Sequence, residues 1–312
     1  MTANARRLLV VIDPTASAQP ALERAAWLAK KLPAALELFV CDYDPNIADA
    51  RVVDAEVQNH ARSQLLEARR RWLGELAKPL ADSGIEVTLD VRWDYPLYEG
   101  ILRKAADSRA DIVVKDTHYH SVLKRSIFSN TDWSLIRGCS AELLLVKPHA
   151  VHTPPRIVAS IDPLHERDKP AELDHKILTA ASRLRDALGA ELHVFHSFDI
   201  APMLAASSDS MTMPIALPVR ELTDSLRKEH TGAVRALTDA YGVQHERIHV
   251  HQGGTRQLLV TLTEQIQADI VVMGAVSRSG LQRLFLGSTA EDVLDKLGCD
   301  LLIVKPSGAP ES

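Results

Sequence analysis

The chain of 312 residues has little that would mark it for export, a membrane or nucleic acid. It holds three cysteines, Cys41, Cys139 and Cys299, with no C-x-x-C pair, and an odd, scattered set suits a reducing compartment. No stretch approaches the ~20 apolar residues needed to cross a bilayer, so no membrane insertion is expected. The opening MTANARRLLVVIDP goes straight into an apolar strand and leaves no room for a secretory signal. Its 36 Lys+Arg are scattered and the net charge is −5, which argues against a nucleic-acid partner. A G-x-x-x-x-G-K-[ST] lysine loop is absent, and no Ser-Gly-Gly follows either early strand. With no acid, base or nucleophile set converging, the expectation is a cytoplasmic protein that is not an enzyme, or at most a weak hydrolase.

What is present is a repeat. Apolar residues make up 46% of the chain, ample for the two cores that its length implies. Leu8–Ile12 followed by Asp13-Pro14 reappears as Ile157–Ile161 followed by Asp162-Pro163, an offset of 162 − 13 = 149. Glu37–Val40 aligns with Glu191–Val194 at 191 − 37 = 154. Ala110–Val114 repeats letter for letter as Ala268–Val272, and Leu143–Pro148 recurs as Leu301–Pro306, both at 268 − 110 = 158. Four matches in one order denote a tandem duplication, with domains at 1–148 and 156–306 and a proline-bearing linker between them.

Each copy alternates short β-branched apolar runs with amphipathic segments, the pattern of a parallel sheet covered on both faces. In the first copy, helices are expected over Gln19–Leu32, Ala50–Asp82 (broken near Pro79) and Tyr98–Ser108. In the second they are expected near Ala171–Leu188, Val219–Tyr241 and Gln257–Gln267. Asp199–Pro218 is a long connection holding three of the five methionines.

The stretch Ala268–Pro306 carries the chemistry. An apolar strand ends at Gly274, a small-residue loop follows with Ser277 and Arg278, and Gly287-Ser288-Thr289 leads into a helix. Ser288 and Glu291 have capping-box spacing. A strand, a tight loop and an open helix N-terminus form an anion site, because unpaired N–H groups and the helix dipole both favour phosphate.

Gly274, Ser277, Gly287 and Ser288 resemble the nucleotide loop G-x2-G-x9-G-[ST] of the universal stress protein family, with Ser277 in place of the second glycine. Thr131–Leu135 and Phe285–Glu291 are similar to stretches of its tandem, E-type members. That resemblance implies two Rossmann-like α/β domains, each a five-stranded parallel sheet of order 3-2-1-4-5. It implies ATP, or AMP, bound where the strand order reverses in the second domain. Asp162 would meet the adenine or ribose, Val194 and Met273 would wall the base, and Gly274, Ser277, Arg278, Gly287, Ser288 and Thr289 would hold the phosphates. It also implies a stress-response regulator whose two domains form an intramolecular pseudo-dimer through their last strands; homo-oligomerisation and protein partners stay open.

In the first copy Asp116, Tyr119, Ser129 and Asn130 stand at the loop positions, and their charge and bulk oppose a polyphosphate. Asp132 adds a carboxylate at the same helix start. His118 and His120, with Asp116, have an H-x-H spacing that suits Zn²⁺, set against the plainer reading of solvated loop side chains. A carrier of an apolar or lipid-like ligand is the remaining alternative.

Overall fold

The computed structural model describes residues 6–48, 54–117, 129–164, 172–201, 219–275 and 296–306. The chain divides into two compact units. The first takes the residues up to Pro148 together with Leu301–Ile303, and the second takes His149–Asp300 and resumes at Val304.

The first unit is built on β1 (Arg6–Val11), β2 (Ala34–Asp42), β3 (Val87–Trp93), β4 (Ile112–Asp116) and β5 (Glu142–Val146). They lie in the order β3-β2-β1-β4-β5, parallel throughout. Leu8, Leu9 and Val10 are all fully buried, so consecutive side chains on opposite faces are covered, as the unbroken apolar run requires. The covering helices are α1 (Pro20–Ala29), α3 (Ala55–Asp82), α4 (Leu97–Asp107) and α5 (Asn130–Gly138), with a single turn, α2 (Pro45–Ala48), after β2. Pro79 does not break α3, which runs on to Asp82. The proline sits in the last turn, where few further backbone bonds depend on it, so the expected break is absent.

The second unit repeats the plan. Its strands are β6 (Arg156–Ser160), β7 (Glu191–Phe198), β8 (Ile248–Gln252), β9 (Ile270–Gly274) and β10 (Asp300–Val304), in the order β8-β7-β6-β9-β10. Helices α6 (Glu172–Leu188), α7 (Val219–Thr238) and α8 (Thr255–Gln265) are described there. The expected order 3-2-1-4-5 is therefore present in the first unit and recurs along the second copy of the sequence, with β10 beside β9.

The letter-for-letter repeat has a backbone explanation. Asp111 accepts the N–H of Arg7 at 2.8 Å, and Asp269 accepts the N–H of Arg156 at 2.7 Å. Arg7 and Arg156 in turn donate to the carbonyls of Ser108 and Ile266. The aspartate at the entry of the fourth strand thus clamps the start of the first strand in both copies.

Register also corrects the sequence alignment. Val11 faces Phe39 across β1 and β2, and Ser160 faces Phe195 across β6 and β7. The N–H groups of Ile12 and Ile161 bond to the carbonyls of the same two phenylalanines. Phe39 therefore matches Phe195, an offset of 195 − 39 = 156 rather than 154. A two-residue slip keeps every side chain on its face, which is why the pattern alone concealed it.

Candidate functional site

A cavity of about 190 Å³ opens at the carboxyl ends of β6, β7 and β9. It lies beside the junction of β6 and β9, where successive connections leave the central strand in opposite directions, the usual ligand position in an open parallel sheet. Ser160, Ile161 and Asp162 line it from the end of β6, Phe195, His196 and Ser197 from β7, and Met273 and Gly274 from β9. Leu173, Asp174 and Ile177 of α6 and Thr255 of α8 complete the walls.

Asp162 stands at the rim with its side chain 41% exposed, and its backbone N–H donates to Asp174 Oδ1 at 3.1 Å. Gly274 is glycine for a packing reason. A Cβ built there would lie 2.6 Å from Leu173 Cδ2 and 2.8 Å from its Cγ, so the first turn of α6 seats directly on this residue. Val194 is fully buried in β7 and does not line the cavity; the three residues after it do. Ser277, Arg278, Gly287, Ser288 and Thr289 lie outside the described residues; among the described residues the cavity is bounded by strand ends and helices.

Sequence reasoning missed several wall residues. Asp174 and Leu173 follow the first strand by a connection of unmarked composition. Ser197 and Thr255 meet through their hydroxyls at 2.7 Å, although 58 residues separate them. His196 is 1% exposed and paired with His230, 9% exposed, and two histidines buried in apolar strand and helix patterns were the available signal.

The edge of the same sheet carries a second imidazole group. His193 Nδ1 lies 3.0 Å from His249 Nε2, and the His249 and His251 rings are nearly parallel at 6.3 Å. Burial, reinforced by the neighbouring His193 and His251, pushes His249 down to about 4. Burial, followed by the charge of Arg247, lowers His193 as well.

The equivalent place in the first unit is filled by its own side chains. Lys115 stands where Met273 stands in the second unit (273 − 115 = 158), and its Nζ lies 2.8 Å from Asp132 Oδ1 and donates to the carbonyl of Asp116 at 2.8 Å. Asp132 is fully buried. Its second oxygen accepts from Ser129 N at 2.8 Å and Ser129 Oγ at 2.9 Å, while Ser129 Oγ accepts from Asp132 N at 3.2 Å. This capping box places a carboxylate at the N-terminus of α5, where a phosphate would otherwise be drawn. Asp116 is buried at the end of β4, and the expected zinc partners His118 and His120 lie outside the described residues. Among the described residues no group of three His, Cys, Asp or Glu side chains is arranged to hold a metal ion, and no helix is long and apolar enough to cross a membrane.

Comparison with known proteins agrees with this architecture. Universal stress protein E of Escherichia coli K12 is 30% identical over 305 residues, covering 96% of this chain and 94% of its own. The universal stress protein E homolog of Haemophilus influenzae is 26% identical over 314 residues, covering 97% of this chain and 98% of its own. A crystal structure of a functionally unknown protein from Pseudomonas aeruginosa PAO1 superposes with a TM-score of 0.74 at 25% identity, over 97% of this chain and 93% of that one. The model of the Universal stress protein family matches residues 4–147 and again 168–305. With both copies matched, the chain belongs to the universal stress protein family and is a tandem member similar to its E type.

Proposed function

We propose that the second unit binds one adenine nucleotide, ATP or AMP, and that the chain acts through this occupancy as a stress-response regulator rather than as an enzyme. The observation that carries the reading is the contrast between the two copies. At the strand ends of the second unit Met273 and Gly274 border an open cavity with Asp162 on its rim. At the same place in the first unit a buried lysine and carboxylate form an ion pair at 2.8 Å. The nucleoside would lie against β6 and β7. Its phosphates would reach the loop of Ser277, Arg278, Gly287, Ser288 and Thr289, whose backbone amides and guanidinium would supply anion contacts.

Titration calorimetry on the full chain tests this directly. The expected result is one ATP per chain, abolished by Gly287→Asp, which places a carboxylate where phosphate must sit. Two sites per chain, or a site that survives Gly287→Asp, would overturn the assignment. Mass analysis of small molecules retained by the purified protein separates this reading from the others: a lipid would point to a carrier, and ADP accumulating from added ATP to a hydrolase.

A further inference from the structure

Both ring nitrogens of His196 have partners. Nδ1 lies 3.1 Å from the carbonyl of Ile161, and Nε2 lies 2.7 Å from His230 Nδ1 on α7. A carbonyl only accepts, so the neutral His196 carries its proton on Nδ1, and Nε2 accepts from the Nδ1–H of His230. The two rings stack at 4.9 Å, and Phe198 stacks on His230 at 4.7 Å. Each element packed around His196 contributes little charge apart from two carboxylates. Asp162 Oδ1 is 3.7 Å from Nδ1, Asp174 approaches from α6, α7 presents the His230 imidazole, and β8 presents Val250 opposite. Burial lowers the basicity of His196, with the Ile161 carbonyl and the two carboxylates opposing it.

We propose that His196 and His230 are positioning residues for Asp162, leaving its carboxylate available to a ligand at neutral pH and withdrawing it on acidification. The proposal rests on the nucleotide reading of the cavity. The Nδ1 proton of His230 passes along the 2.7 Å hydrogen bond to His196 Nε2. Solvent supplies a proton to His230 Nε2, which leaves His230 neutral with Nδ1 as the acceptor. The resulting imidazolium, 3.7 Å from Asp162, draws the carboxylate into an ion pair and away from the nucleoside. The first unit lacks the device. By register Val40 occupies the position of His196 (196 − 40 = 156), and the two buried residues of α3, Leu73 and Ala77, have the spacing of His230 and Val234 on α7.

The test measures ATP affinity at pH 7.5 and 5.5 for the parent, for His196→Val/His230→Leu, which recreates the apolar packing of the first unit, and for Asp162→Asn. Asp162 is on the rim, so the last variant keeps its fold whatever the outcome of the core replacement. The terminal phosphate of ATP titrates in this range, so the quantity read is the difference in pH dependence between proteins. Circular dichroism at both pH values confirms that each protein is folded. The parent is expected to lose at least about twofold more affinity than either variant, a modest factor because burial lowers the basicity of His196. Equal losses in all three would overturn the proposal while leaving the nucleotide reading intact. Absence of ATP binding by the parent at pH 7.5 would overturn both.

Discussion

Replacing Asp132 with alanine isolates the interaction that fills the first unit. The substitution removes the partner of Lys115, whose side chain is 7% exposed, and the acceptor that caps α5. Stranding a buried charge costs about 3–5 kcal/mol, and losing a helix cap about 1 kcal/mol. The two losses share one side chain and are not additive, so about 4 kcal/mol is the expected total. Urea denaturation followed by tryptophan fluorescence is the assay, with the first unit read separately wherever the two unfold in distinct steps. Lys115→Met/Asp132→Ala supplies the control, because it installs the residues found at the matching positions Met273 and Ala290. Removing both charges leaves no unpaired ion, so the double variant should recover most of the loss. A single-variant cost below about 1 kcal/mol, or a double variant no more stable than the single, would refute a buried ion pair.

Two further outcomes follow from the second unit. Gly274→Ala forces a Cβ against Leu173 and should destabilise this unit by about 1–3 kcal/mol; adding Leu173→Ala should relieve the clash, which urea midpoints of the single and double variants would report. His193 and His249 have folded pKa values below those of the unfolded chain. The unfolded state therefore takes up more protons in acid, so stability is full above about pH 6.5. It falls as the pH drops toward about 4, and His249→Gln should flatten the decline in urea midpoint between pH 7 and 4.5.

Much of the architecture was written in patterns of short range. Unbroken runs such as Leu8–Val11 and Ile270–Val272 predicted strands buried on both faces, and the recurrence of four such runs predicted two copies of one sheet. The register of β7 was less legible, because a shift of two residues preserves the alternation that pattern reading depends on. The resemblance implies a phosphate role for Gly274, and the described structure adds a packing reason for glycine there in Leu173. Helix packing across the sheet is set by side chains about a hundred residues away in sequence, which no local window contains. The Lys115–Asp132 pair escaped notice similarly. A lysine inside an apolar strand and an aspartate in the first turn of a helix each had a plain local explanation, and only the fold brings them to 2.8 Å.

The aspartate clamps at Asp111 and Asp269 also bear on how each unit comes to be assembled. The backbone contacts they make span 104 and 113 residues of sequence. The central strand of either unit therefore gains its terminal anchor only after the fourth strand has been made. Contacts of such long range are entropically late and slow to form, so the central strand is secured near the end of folding rather than at its start. A chain cut after the third strand of either copy keeps most of its apolar residues but not the residue that fixes where its sheet begins. The smallest piece of this protein that folds in register is thus expected to be a whole unit, which is also the piece that the duplication copied.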